Sequence, residues 1–184
     1  MQTKHKFVSL GLALAMSVAG ASSFAQVMVG GASMLPTKDI IDNAVNSKDH
    51  TTLVAAVKAA GLVDTLKSTG PFTVFAPVNA AFAALPAGTV DTLLKPENKA
   101  MLSEILTYHV VSGKMDAAAL TKAIAAGEGK AVLKTVAGGN LTATTAMGGV
   151  MITDEKGGAA KVTIADVYQS NGVIHVIDKV LLPK

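Results

Sequence analysis

The stretch "KAVLKTVAGGNLTATTAMGGVMITDEKGGAAKVTIADVYQSNGVIHVIDKVLL" (130–182) decides the fold. It divides into five runs rich in β-branched and aliphatic residues: "KAVLKTVA", "NLTATTA", "GVMIT", "AKVTIADVY" and "GVIHVIDKVLL". Between them stand "GGN", "MGG", "EKGG" and "SNG". Short strand-like runs punctuated by glycine-containing turns predict consecutive antiparallel hairpins. Upstream, from Asp39 to Gly127, the spacing of apolar residues is mostly helical. Leu53, Val54 and Val57 share one face, and Gly61 falls where that helix should stop. Met101, Leu102, Ile105 and Leu106 form a second stripe, which is a core face by its spacing. One strand, "FTVFAP" (72–77), interrupts this region after the turn "STGP". Helices gathered in one part and strands in another predict an α+β domain with mainly antiparallel strands.

Asn79 follows that strand at a helix start, where its side chain suits an N-cap. Asp116 is placed to cap "AAALTKAIAA", which closes at Gly127. Residues 1–25 have the layout of a cleaved secretory signal peptide: Lys4 and Lys6, then an apolar run too short to span a bilayer, then Ser23 and Ala25 at the −3 and −1 positions. A flexible N-terminal arm is expected over 26–36, where "QVMVGGASMLP" lacks periodicity, and one domain over 37–184.

Composition narrows the function. The chain has no cysteine, which excludes disulfides, a thiol nucleophile and a lipid anchor on cysteine. It has no arginine, and its lysines are scattered singly. Both features disfavour nucleic acid and an anionic membrane surface as partners. Without the first 25 residues the net charge falls to about +1. The expected location is therefore the periplasm or the extracellular medium, with no membrane anchor and nothing that demands more than a monomer.

Chemistry-bearing motifs are sparse. The sequence holds no G-x-S-x-G, no phosphate-binding glycine loop and no pair of histidines at metal-ligand spacing. "TDEKGG" (153–158) lacks the alternating oxygen ligands of a calcium loop and reads as a polar hairpin turn. Asn140-Leu141-Thr142 is a glycosylation sequon, relevant in a eukaryotic host alone. His109 stands where a helix gives way to a strand, in reach of free carbonyls. His175 sits among aliphatics in its own run. Imidazole donates and accepts at once, so both read as hydrogen-bonded structural histidines in preference to a ligand or a base. No catalytic residue, cofactor or metal site is assigned.

Three blocks in order, "GPFTVFAPVNAAFAALP" (70–86), "LTYHVVSGK" (106–114) and "NGVIHVIDKVLLP" (171–183), resemble the conserved blocks of the fasciclin domain family. Val78 departs from the pattern, which commonly has threonine or serine before the Asn/Asp. The resemblance implies a β-sandwich or wedge of strands with helices packed along one side. It also implies cell-surface adhesion or protein binding without catalysis, the partner being an extracellular or envelope protein. Family adhesion motifs map by resemblance onto Tyr108, His109, Asp166 and Val167. Burial of Tyr108 and His109, and a turn at Asp166, are the alternative reading of those positions. A carrier of a small apolar ligand, in a pocket between helices and sheet, is the second functional reading.

Overall fold

The computed structural model describes residues 26–184, so the signal-peptide assignment to 1–25 lies outside the described residues. The strand-rich half folds as its turns dictate. Strands β5 (Lys130–Lys134), β6 (Asn140–Ala146), β7 (Gly149–Thr153), β8 (Ala159–Gln169) and β9 (Gly172–Ile177) follow one another as antiparallel neighbours. Upstream lie β3 (Phe72–Pro77) and β4 (Val110–Ser112), and the seven strands form one sheet in the order β4-β3-β9-β8-β7-β6-β5. The β3–β9 pairing is parallel, with Phe75 level with His175. Sequence periodicity carries no information about that contact, because the two strands lie almost a hundred residues apart in the chain.

Helices α1 (Ile40–Ala44), α2 (Thr51–Ala60), α3 (Val63–Lys67), α4 (Asn79–Ala83), α5 (Thr89–Leu93) and α6 (Lys99–Tyr108) gather on one side. Helix α7 (Ala117–Ala126) packs separately, against β5 and β6. The sheet thus has two cores. Leu53, Val57, Val74, Leu106, Ile174 and Val176 belong to the first, beneath helices α1–α6. Phe75, Tyr108, Leu120, Leu141, Ile152 and Ile177 belong to the second, inside the curl of the strands. Successive residues of β3 and β9 point to opposite cores, so every residue of β9 is buried. Burial on both faces explains why that segment shows a nearly continuous apolar run.

Two expectations need correction. The arm over 26–36 is an ordered hairpin, β1 (Val27–Val29) with β2 (Ala32–Met34), turning on Gly30 and Gly31 at φ of 58° and 76°. Val29 and Met34 are buried in the first core. Strands of three residues are too short to show periodicity, and the anchor is tertiary burial. Asn79 is not the N-cap of its own helix, a position held by Val78 without a side-chain bond. Instead its Oδ1 accepts from the Thr52 N–H (3.0 Å) and the Thr51 hydroxyl (3.2 Å), and its Nδ2 donates to the Lys48 carbonyl (2.8 Å). Asn79 therefore satisfies the open N-terminus of α2 from the neighbouring element. That end offers both a free N–H and a free carbonyl, which match the two ends of an amide.

Candidate functional site

The tyrosine–histidine pair sits where α6 runs into β4. Tyr108 ends the helix and His109 is its C-cap. Neither is at the surface: Tyr108 is 0% and His109 2% exposed. The Tyr108 hydroxyl donates to the Asn140 carbonyl (2.8 Å) and accepts from the Glu155 N–H (3.1 Å), joining the start of β6 to the β7–β8 turn. The ring lies so close to Gly139 that a Cβ there would stand 2.7 Å from it, so a glycine is required at that position. Burial pushes the Tyr108 hydroxyl pKa up, partly offset by the Glu155 backbone bond.

His109 is bonded at both nitrogens. Nδ1 lies 2.7 Å from the Ile105 carbonyl and so carries the proton, and Nε2 accepts from the Leu181 N–H at 2.9 Å. A second proton on Nε2 would face a donor. Burial lowers the pKa of His109 to about 4, against the opposing pull of the Ile105 carbonyl and Asp154. Asp154 holds the next residue of the same tail, accepting from the Leu182 N–H (3.0 Å), while its other oxygen accepts from Lys156 and Gly158 within the turn. "TDEKGG" is thus a hairpin turn whose aspartate also straps down the carboxyl terminus.

His175 faces the second core. Nε2 lies 2.7 Å from the Met115 carbonyl and donates to it, Nδ1 accepts a long bond from the Asp166 N–H (3.5 Å), and the ring stacks on Phe75 at 5.7 Å. Burial lowers its pKa, opposed by the Met115 carbonyl, Asp166 and Asp116. Asp166 lies at an irregularity in β8, where the register with β9 shifts, and its φ of 58° is unusual for a side-chain-bearing residue. Its carboxylate accepts from the Ala117 N–H (2.6 Å), while Asp116 accepts from the Ala119 N–H (2.8 Å). The two aspartates cap α7 together, which favours negative charge there. Val167 is 1% exposed and belongs to the first core.

Of the four positions marked by resemblance, Tyr108, His109 and Val167 thus have no surface, and Asp166 is half-buried and bonded to α7. What lies open beside Asp166 is Lys114, stacked over the Tyr168 ring at 4.8 Å, with the Tyr168 hydroxyl on Asp116 Oδ2 at 3.3 Å. Sequence reasoning missed Asn171 and Asn43. Asn171 accepts from Ile40 N–H and donates to the Leu66 and Ser68 carbonyls. Asn43 bonds Leu35 at both N–H and carbonyl and also donates to Gln169. The "NG" turn was the available signal for Asn171, but a turn asparagine and one reaching three distant backbone groups look alike in sequence.

The third histidine, His50, is 3% exposed and lines a cavity between the helices and the sheet. Its Nδ1 is 2.9 Å from the Ser47 hydroxyl, while Nε2 makes no hydrogen bond of good geometry, with the Ala76 backbone near enough to favour a proton there. Burial lowers its pKa. The cavity is about 40 Å³; Ser47 and His109 also line it, and the rest of its wall is apolar, with Leu53, Val57, Leu106 and Ile174 among it. Among the described residues no three His, Asp or Glu side chains converge as a metal-ligand group, and no helix is long and apolar enough to cross a membrane.

The fasciclin domain profile matches residues 48–183, and the chain belongs to the fasciclin domain family. It is 53% identical over 144 residues to Protein sll1483 of Synechocystis, covering 78% of this chain and 73% of that one. It is 35% identical over 145 residues to the cell surface glycolipoprotein MPB83 of Mycobacterium bovis, covering 76% and 58%. Among solved structures, a domain pair from the insect cell adhesion molecule Fasciclin I superposes with a TM-score of 0.70 over 79% of this chain and 51% of that one. At 20% identity that likeness shows the shared α+β fold.

Proposed function

We propose that this chain is an exported protein that acts in the periplasm or at the cell surface by binding another protein, in adhesion or assembly, without catalytic turnover. Family membership, a relative described as a cell surface glycolipoprotein and a structural neighbour from an insect cell adhesion molecule support the reading. The observation that carries it is a division of labour in the structure. His109 and His175 have both nitrogens committed to backbone groups, leaving no free base or ligand there. A groove of about 580 Å³ between β4 and β5 instead exposes apolar side chains, with Val132 69% and Val136 43% accessible. Large exposed apolar side chains lining one groove mark contact sites more often than scattered ones do.

Deleting the gene in its own host should reduce surface attachment or the recovery of one crosslinked envelope partner. Unchanged attachment together with no crosslinked partner would sink the reading. A second reading, carriage of a small apolar ligand, draws on the cavity beside His50. At about 40 Å³ it has space for a few water-sized bodies, each needing at least about 10–15 Å³. An acyl chain would require α1 and α2 to separate from the sheet. Native mass spectrometry of protein from its own host should show the bare chain mass, and a retained small apolar molecule would favour the carrier.

A further inference from the structure

The seven-stranded sheet almost closes on itself. Its terminal strands β4 and β5 touch at one bridge, Val111 with Thr135, and the Val136 N–H donates to the Val110 carbonyl at 2.8 Å. From there β4 and β5 diverge, and the gap between them is the groove, walled by Val111, Ser112 and Met115 on one side and Ala131–Thr135 on the other, with Ala123 of α7 as its floor. The hydrogen-bonding parity of β5 is set by its neighbours. Thr135 N–H bonds the Gly139 carbonyl toward β6, and Val136 N–H bonds toward β4. Alternation then turns the N–H groups of Val132 and Lys134, and the carbonyl of Val132, toward the gap. An edge that presents such groups is a template for another strand.

Side chains say which strand. On the solvent face of β5, Lys130, Val132 and Lys134 are all exposed at alternate positions. Pairing with a second copy is disfavoured: antiparallel alignment about Val132 sets Lys130 against Lys134, and parallel alignment sets each lysine against itself. Of the described residues lining the groove, Lys134 alone is charged, and the inward positions meet Met115, Ala123 and Val111. Glu128, exposed two residues before β5, is the nearest carboxylate in sequence and stands outside the groove lining.

We propose that the β4–β5 gap is a docking site for an extended segment of another protein with the pattern acidic–apolar–apolar–apolar–acidic, which adds a strand to β5. Its two carboxylates face Lys130 and Lys134, its central residue lies beside Val132, and its second and fourth residues enter the groove. This recognition is β-augmentation, in which backbone bonds supply affinity and alternate side chains supply selectivity. The proposal rests on the protein-contact reading above and names the class of partner for it.

The test titrates the chain with two labelled peptides, one with a Glu-Ala-Val-Ala-Glu core and one with Lys-Ala-Val-Ala-Lys, by fluorescence anisotropy and backbone amide NMR. The acidic peptide should bind saturably, shift the Val132 and Lys134 amides, and bind at least about tenfold tighter than the basic one, as two cross-strand charge pairs imply. Val132→Pro, which removes an edge donor without touching the β6 ladder, should abolish binding. Because that variant can disturb folding, a chain carrying Lys130→Glu and Lys134→Glu provides the second arm, and it should exchange the preference and select the basic peptide. No binding of either peptide, equal binding of both, no reversal in the double variant, or a dimer that Val132→Pro dissolves would each overturn the proposal. None of these outcomes touches the surface-contact reading, which is decided by attachment of the deletion strain.

Discussion

Two regions of this molecule treat their polar groups in opposite ways. The side chains of Tyr108, His109, Asp166 and His175 are all bonded to backbone. At the β4–β5 gap, ordinary residues leave an apolar groove, toward which strand alternation turns backbone groups of β5. The difference teaches that the family's most recognisable residues are here the fastenings of the fold. His109 ties α6 to the carboxyl-terminal tail, Tyr108 ties β6 to the β7–β8 turn, and Asp166 ties β8 to α7. On the proposed reading, a partner would meet the surface those fastenings hold in place.

The comparison breaks most visibly at His109. His109→Ala strips the Ile105 carbonyl and the Leu181 N–H of their partners and leaves a cavity. We predict a loss of about 3–5 kcal/mol in chemical denaturation. Binding measured well below the melting temperature should persist, and equal stability with lost binding would return the residue to the contact surface. Acid tests the same group in the native chain. With His109 lowered from 6.5 to about 4, the unfolded chain takes up a proton between those values that the folded chain refuses. Stability is therefore full above pH 6.5 and falls as pH drops toward 4, by on the order of 3 kcal/mol from this group. The downward shifts of His50 and His175 act in the same direction. Denaturation midpoints flat from pH 7 to about 4.5 would contradict the assignment.

Smaller effects sharpen the contrast. Tyr108→Phe keeps the ring and removes the hydroxyl between Asn140 and Glu155, at a cost of about 1–2 kcal/mol; proton exchange should quicken in the β7–β8 turn. Asn79→Ala should cost about 1 kcal/mol, with fraying at the start of α2 and not of α4. Lys134→Glu at the gap should leave the melting temperature within about 0.5 kcal/mol equivalent of native while weakening an acidic peptide. A large loss of stability there would mean that the gap is a fastening after all.

Much of the architecture was legible. The five strands after Lys130 and the stop at Gly61 follow from local pattern and turn chemistry, as does the Asp116 cap, and each is observed. The hairpin at 27–34 escaped because three-residue strands carry too few positions for a period to show. Asn79 was legible as a capping residue but not as the cap of α2, since sequence shows which atoms a side chain carries and not which helix end meets them.

By itself, then, the sequence determined the helix-rich and strand-rich regions after the first hairpin, the α+β segregation and the family, because these depend on local periodicity, glycine turns and motif blocks. Tertiary structure alone decided the parallel β3–β9 contact, the tautomer of His109 and the opening between β4 and β5. Each of those depends on distant residues meeting. A buried polar group takes its role from the partner it meets, and an edge is open or covered according to how far the sheet curls.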